Sequence, residues 1–127
     1  QFRDNVIIQI KNGPVDFQPR EPFSPLFGQL ENTNVMAEFQ ITQEYLGFSN
    51  HLVYLHPMWK ECLDSDTYQK GEGSTVAEIT KGVTHSRPIN AIAGVTNIGD
   101  SINWCGHHFA QSNWYAYGRM VWNLELS

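Results

Sequence analysis

Residues 35–42 read VMAEFQIT, and this stretch decides the fold. Apolar and polar side chains alternate along it, and a period of two predicts a β-strand with one face turned to a core. The apolar face carries Val35, Ala37, Phe39 and Ile41, and the polar face carries Glu38, Gln40 and Thr42. Glu44 continues the polar face just past the carboxyl end of the strand.

Two more strands are predicted, one before and one after this stretch. Residues 6–11 read VIIQIK, a β-branched run that predicts a buried strand ending at an Asn-Gly-Pro turn. Residues 89–98 read INAIAGVTNI and predict a third strand, which Gly94 weakens. Residues 17–34 are rich in proline and residues 64–74 are polar, so both segments are predicted to be mainly irregular loops.

Two helices are predicted in the second half of the chain. A capping box and a terminal glycine predict a short surface helix over residues 75–82, built on Thr75, Glu78 and Gly82. Helical spacing over residues 109–122 predicts an amphipathic helix whose packed face carries Ala110, Trp114, Gly118 and Val121. The tryptophans of this helix, Trp114 and Trp122, are expected in the core. Pro57 is expected to break the preceding segment LVYLHPMWK.

Long, helix-bearing connections separate the predicted strands, and this predicts an α/β fold with a parallel sheet. Parallel neighbours need crossovers of a dozen or more residues, whereas hairpins need only short turns. Three strands with their companion helices amount to less than half of a (β/α)8 barrel, which typically needs about 250 residues. We therefore expect an incomplete part of such a TIM barrel, with open sheet edges.

The composition excludes several classes of protein. The 127 residues are 41% apolar, which is enough to build the core of a single domain and argues against disorder. The net charge is −5 and the basic residues are scattered, so nucleic acid is not an expected partner. The longest apolar runs fall far short of the roughly 20 residues that span a bilayer, so a membrane is not an expected partner either.

No cofactor or metal is expected. The two cysteines lack the spacing of metal ligands. His107 and His108 are neighbours in one predicted loop, an arrangement that rarely gives the convergent geometry of a zinc site. Trp59 and Trp104 lie in predicted loops and are candidate platforms for stacking on sugar rings.

Three charged residues gather where the first two predicted strands end. Lys11 is the last residue of the first strand, Asp16 lies in the turn after it, and Glu44 follows the second strand. Because barrel enzymes build their active sites at the carboxyl ends of the strands, this pattern predicts a catalytic cluster. The alternatives are a turn or cap role for Asp16, a solvated Glu44, and a Lys11 side chain that only extends to water.

Longer motifs surround these residues. They are KNGPVDFQPREPFSPLFG at 11–28, EFQITQEYLG at 38–47, HLVYLHPMWKECLD at 51–64 and GVTNIGDSINWCGHHFAQSNWYAYGRMVW at 94–122. Together they resemble the bacterial xylan α-1,2-glucuronidases of glycoside hydrolase family 67, in the same order and over essentially the whole chain. The resemblance implies that residues 1–127 are part of the family's catalytic (β/α)8 barrel, with its later strands and helices. The N-terminal β-sandwich, the earlier barrel strands and the C-terminal helical domain of the family are then absent.

The resemblance also implies a function. It implies an inverting hydrolase that removes glucuronic acid or its 4-O-methyl ether from xylo-oligosaccharides derived from glucuronoxylan. Asp16 and Glu44 are then the two carboxylates that activate water, and Lys11 helps to bind the uronate carboxylate. The family's general acid is a glutamate on an earlier strand, upstream of Gln1, so the chain alone is expected to be inactive.

Other interpretations stay open at this point. The chain begins with Gln1 and shows no signal peptide, so we expect a piece cut from a longer protein, and its compartment is undetermined. The alternatives are a non-catalytic carbohydrate-binding module, an inert truncated fragment, and a retaining glycosidase whose two carboxyl groups are about 5 to 5.5 Å apart. The dimer contacts of the family lie largely in its C-terminal domain, so a homodimer of the full-length protein is a further hypothesis.

Overall fold

A three-stranded parallel sheet forms the centre of the structure, a computed structural model that describes residues 2–47, 52–97, 101, 105 and 108–126. The strands are β1 (Ile7–Lys11), β2 (Asn34–Gln40) and β3 (Ala91–Val95), in that spatial order. The middle strand pairs on both sides, with Ala37 opposite Ile10 of β1 and Ile92 of β3. The predicted mixed α/β class and the parallel direction of the strands are therefore confirmed.

The alternation predicted for the middle strand is also confirmed. Val35, Ala37 and Phe39 are buried, whereas Met36, Glu38 and Gln40 of the same strand are only half-buried. Ile41 and Thr42 lie just beyond the end of β2, and both are buried. Thr42 turns inward from the predicted polar face because its hydroxyl accepts a hydrogen bond from the Asn97 N–H at 2.7 Å.

The predicted burial of the first strand is wrong for most of its residues. Only Ile10 of β1 is buried, and Gln9 and Lys11 are exposed. β1 has one neighbour within the described sheet, so one of its edges is not covered by another described strand. The residues from 12 to 33 that connect β1 to β2 run through turns, as predicted, and place Phe27 deep in the core.

Within the described ranges, three α-helices pack around the sheet, and the first of them was not predicted. They are α1 (His56–Asp64), α2 (Val76–Thr80) and α3 (Gln111–Trp122). Pro57 does not break α1 but stands in its first turn, where the missing N–H needs no partner and the fixed φ suits a helix. None of the helices in the described ranges has the length and apolar character that crossing a membrane requires.

The second helix begins as predicted but is not a surface helix. The Thr75 hydroxyl accepts a hydrogen bond from the Glu78 N–H at 3.2 Å, and Gly82 adopts φ 75° just after the helix. Four of the five residues of α2 are buried, because the short helix is held between the sheet and α1. The capping signal located the helix but carried no information on its burial.

The third helix packs partly through the face predicted, since Ala110 just before it is buried and Trp114 and Val121 are half-buried against the core. Its buried residues are Asn113, Ala116, Tyr117 and Met120, whereas Gly118 is exposed and Trp122 is 91% exposed. The Tyr117 ring meets the buried Trp59 of α1 edge to face, with ring centroids 5.5 Å apart. Gly94 makes room for this contact, since a Cβ there would lie 2.7 Å from the Tyr117 ring. The contact with Gly94 and Trp59 sets the rotation of α3.

Candidate active site at the carboxyl ends of β1 and β2

Lys11 and Asp16 meet at the carboxyl end of β1. Lys11 is the last residue of the strand, and its partner in the sheet register is Glu38 of β2. The Lys11 Nζ donates a hydrogen bond to Asp16 Oδ1 and forms an ion pair with it. Both side chains are well exposed, so this pair faces solvent and is open to an incoming ligand.

The charge of Lys11 is stabilised by its surroundings. The hydrogen bond to the Asp16 carboxylate raises the pKa of Lys11 above its usual value, and partial desolvation opposes this rise. The negative charges of Glu38 and Glu44 raise the pKa further. The Lys11 Nζ also lies 5.0 Å from the centroid of the Phe17 ring, within the range of a cation–π contact. Lys11 is therefore a cation in a field of three carboxylates.

The turn that carries Asp16 has an unusual backbone. Asp16 adopts φ 35° and Phe17 adopts φ 66°, a left-handed conformation that costs energy for residues with a Cβ. Two contacts from outside the turn hold it. The Val15 N–H donates to Glu21 Oε2 at 2.6 Å, and the Phe17 carbonyl accepts from Gln43 Nε2 at 2.7 Å.

Gly13 allows Glu21 to approach this turn. A Cβ at Gly13 would overlap the carboxyl group of Glu21, so a larger residue there would displace the acceptor of the Val15 N–H. The other oxygen of that carboxylate, Glu21 Oε1, is buried and has no hydrogen-bond partner among the described residues. The Glu21 carboxylate thus contacts the turn in two ways, through the hydrogen bond from Val15 and through its close approach to Gly13.

Glu44 begins a short 3₁₀ turn, Glu44–Leu46, after β2. Its backbone N–H donates to Gln40 Oε1 at 3.1 Å, and the Gln43 Oε1 accepts from the Tyr45 N–H at 3.0 Å. The Glu44 side chain is half-buried, and within the described part of the chain its carboxylate has neither a hydrogen bond nor an ion pair. As far as the described residues go, the Glu44 carboxylate is free to bind water or substrate.

The three predicted site residues lie at one edge of the sheet, but not all of them are in direct contact. Lys11 and Asp16 are in direct contact. Glu44 interacts with Lys11 electrostatically and raises its pKa. Its sequence neighbour Gln43 donates a hydrogen bond to the Phe17 carbonyl in the Asp16 turn. Sequence reasoning missed Gln43 and Glu21, because neither spacing nor composition distinguishes them from ordinary polar residues.

The other candidate residues do not join this cluster. Trp59 is not a stacking platform, because it is buried in α1 and donates its indole N–H to the Gln40 carbonyl at 3.2 Å. His108 is exposed in a 3₁₀ turn at His108–Ala110, and Trp104 and His107 lie outside the described residues. Among the residues that the structure describes, no group of three or more His, Cys, Asp or Glu could hold a metal ion.

A cavity of about 400 Å³ lies behind the Asp16 turn, between that turn and α1. Its lining includes Asn12, Arg20, Glu21 and Cys62 but none of the three predicted site residues. Burial, with the negative charges of Glu21 and Glu61, raises the pKa of the Cys62 thiol to about 12. Cys62 is therefore a protonated, unreactive thiol and not a nucleophile.

Comparison with known proteins assigns this chain to a family. Residues 1–104 match the family model described as the glycosyl hydrolase family 67 middle domain. Alpha-glucuronidase A of Emericella nidulans is 54% identical over 123 residues, which are 97% of this chain and 14% of that protein. The probable alpha-glucuronidases A of Aspergillus flavus and Aspergillus niger are 53% and 50% identical, again over 97% of this chain and 15% of theirs.

These relatives support membership of the family but not a bacterial origin. They are fungal proteins, and the bacterial affiliation therefore stays a prediction. The chain spans only 14% to 15% of the length of the relatives it matches. The family match, in contrast, covers most of the chain and includes Lys11, Asp16 and Glu44. The chain belongs to glycosyl hydrolase family 67.

Proposed function

We propose that the chain is the part of an α-glucuronidase that carries the water-activating carboxylates and a uronate-binding lysine. The longer protein, called the parent enzyme below, hydrolyses the α-1,2 bond between glucuronic acid, or its 4-O-methyl ether, and a xylo-oligosaccharide. The observation that carries this proposal is the pairing of Lys11 with Asp16 beside the turn of Glu44, at the carboxyl ends of neighbouring parallel strands. The names of the relatives, alpha-glucuronidase A, support the same activity.

The three strands belong to a (β/α)8 barrel in the parent enzyme. Their parallel order and the helices that follow β2 and β3 are typical of this fold, and further strands would pair with the outer edges of β1 and β3. The N-terminal β-sandwich, the earlier strands and the C-terminal helical domain lie elsewhere in the parent enzyme. Its homodimer is a proposal that rests on the family alone.

Hydrolysis with inversion needs two carboxyl groups about 6.5 to 9.5 Å apart, with the attacking water between the base and the sugar. The water oxygen forms a bond to C1 of the uronic acid on the face opposite the xylose oxygen, and the C1–oxygen bond to xylose breaks. A general acid elsewhere in the parent enzyme protonates the departing xylose oxygen. A carboxylate of this chain accepts the proton from water.

Glu44 is the better base of the two carboxylates. Its carboxylate forms no hydrogen bond or ion pair among the described residues, whereas the Asp16 carboxylate accepts a hydrogen bond from Lys11. Asp16 then orients the water. The Lys11 ammonium has three N–H donors, so it can hold Asp16 and also receive the uronate carboxylate of the substrate.

The first test replaces each carboxylate by its amide in the parent enzyme. Asp16→Asn and Glu44→Gln should each lower kcat by about 10²- to 10⁴-fold, the usual contribution of a positioned acid or base. Asp64→Asn is the matched control, because Asp64 is an exposed carboxylate that pairs with Lys60 on α1. Full activity in both site variants would contradict the proposal, and saccharide binding without turnover by the unmodified parent would favour a binding module.

The second test concerns the uronate group. Lys11→Ala should raise KM for a glucuronosyl xylo-oligosaccharide, because the uronate carboxylate of the substrate loses its ionic contact with the lysine ammonium. The carboxyl-reduced analogue of the same substrate lacks that partner, so its KM should be the same for the wild type and for Lys11→Ala. An equal rise in KM for both substrates would show that Lys11 does not recognise the uronate.

A further inference from the structure

We propose that Gln43 is a positioning residue that fastens the turn of Asp16 to the turn of Glu44 and so sets the geometry of the two carboxylates around the water. The inference rests on the proposed function of Asp16 and Glu44. Gln43 does not touch the reacting atoms itself. Its side chain acts through the backbone of the residues that follow Asp16 and Glu44.

The contacts of Gln43 span two segments that are far apart in the sequence. Its Nε2 donates to the Phe17 carbonyl at 2.7 Å, across 26 positions of the chain. Its Oε1 accepts from the Tyr45 N–H at 3.0 Å. Phe17 directly follows Asp16, and Tyr45 directly follows Glu44. One side-chain amide therefore holds the backbone next to each carboxylate.

Burial makes these two bonds specific for an amide. Gln43 is 3% exposed, so water cannot replace either partner freely. The Phe17 carbonyl needs a donor and the Tyr45 N–H needs an acceptor, and a carboxylate offers only acceptors. A buried partner left without its hydrogen bond destabilises this arrangement, because the group has already lost its hydrogen bonds to water. A glutamine meets both needs at once and adds no charge beside the carboxylates.

The bond to Phe17 acts on a strained piece of backbone. Phe17 adopts φ 66° and Asp16 adopts φ 35°, which residues with a Cβ rarely do without support. When the bond from Gln43 is removed, the turn can relax toward negative φ, and the Asp16 carboxylate then leaves its place beside Lys11. A misplacement of about 1 Å near the reacting atoms can lower a rate by roughly 10²-fold.

The test compares three variants of the parent enzyme with a matched control. Gln43→Met keeps the length of the side chain and removes both hydrogen bonds, and Gln43→Asn keeps the amide but shortens its reach. Gln43→Glu keeps the acceptor and loses the donor while its carboxyl group is ionised. Gln29→Glu is the control, because Gln29 is an exposed glutamine in the loop before β2.

The expected result is a loss of kcat with little change in KM. Gln43→Met and Gln43→Asn should lose about 10- to 100-fold in kcat, because the carboxylates and not the uronate contact are misplaced. Gln43→Glu should lose as much at neutral pH and recover part of its activity as the pH falls, relative to wild type, because the protonated carboxyl can donate to the Phe17 carbonyl. Gln29→Glu should follow the wild-type pH profile.

The remaining outcomes separate the failure of this inference from that of the proposed function. If Asp16→Asn and Glu44→Gln abolish activity while folded Gln43→Met keeps wild-type kcat, the positioning role of Gln43 is wrong and the proposed function stands. If the two carboxylate variants stay active, both are wrong. If the three Gln43 variants fail to fold while Gln29→Glu folds, Gln43 serves the stability of the fold, and the positioning role is overturned.

Discussion

Replacing Gly94 by alanine should loosen the packing of α3 on the sheet. Gly94 lies in β3, and a Cβ there would lie 2.7 Å from Ile41 Cδ1 and 2.7 Å from two carbons of the Tyr117 ring. Contacts this short are not tolerated, so a neighbour must move. The Ile41 side chain can rotate, but the Tyr117 ring is buried and braced by Trp59.

The magnitude follows from two opposing effects. Gly94 itself is exposed, but the added Cβ would press on the buried Tyr117 ring, and overpacking of this kind costs about 1 to 3 kcal/mol. Removing a glycine from a strand interior returns about 0.5 to 1 kcal/mol, because the unfolded chain loses less conformational entropy. The two ranges leave a net loss of about 0 to 2.5 kcal/mol, centred on about 1 kcal/mol, which corresponds to a roughly 5-fold change in a local opening equilibrium.

Hydrogen exchange followed by mass spectrometry measures this change locally in the parent enzyme. Peptides covering Ala91–Val95 and Gln111–Trp122 should exchange faster in Gly94→Ala. Gly118→Ala is the matched control, because Gly118 lies in α3, is exposed, and has only open space within 4 Å of the point where a Cβ would stand. That control should slow exchange in α3, since alanine favours a helix by about 1 kcal/mol over glycine. Unchanged or slower exchange in Gly94→Ala would refute the packing argument.

Three further predictions concern the site and its support. The Cys62 thiol, with its pKa raised to about 12, should resist alkylation in the native parent enzyme at mildly alkaline pH and react on unfolding, as read by peptide mass spectrometry; fast native labelling would contradict this. The raised pKa of Lys11 keeps its charge up to a higher pH than usual, so uronate binding is present below the ordinary lysine pKa and lost as the pH rises through the raised value. In Asp16→Asn the loss of glucuronate binding at high pH should move to lower pH, as measured by calorimetric titration. If the pH at which binding is lost does not move, the ion pair with Asp16 is not the cause of the raised pKa. Gly13→Ala should displace Glu21 and lower kcat, while the melting temperature should change little. A wild-type kcat would show that the contact of Glu21 with the Asp16 turn is dispensable.

Local sequence patterns predicted the sheet and the residues at its edge. Strict alternation over β2 reports burial directly, because successive side chains of a strand point to opposite faces. The rule that parallel strands end at one edge then brought Lys11, Asp16 and Glu44 together without any distance information. Both inferences depend only on backbone geometry, which neighbouring residues determine.

The errors concern features that tertiary contacts decide. Pro57 fits a first helical turn as well as it fits a break, and the packing of Trp59 under β2 selects the helix. Helical spacing located the packed face of α3 only approximately: Trp114 and Val121 pack against the core, but the close approach of Tyr117 to Gly94 rotates the helix so that Gly118 and Trp122 are exposed. The role of Gln43 depends on a contact across 26 positions, which no local pattern contains.

The most direct test of the proposed function is the configuration of the sugar that the parent enzyme releases. Proton NMR during the first turnovers on a 4-O-methylglucuronosyl xylo-oligosaccharide distinguishes the two anomers before they interconvert. We expect the β-anomer to appear first and both Asp16→Ala and Glu44→Ala to abolish its release, because water attacks C1 from the face opposite the leaving xylose. Release of the α-anomer first would mean a retaining mechanism and would contradict the roles assigned to both carboxylates.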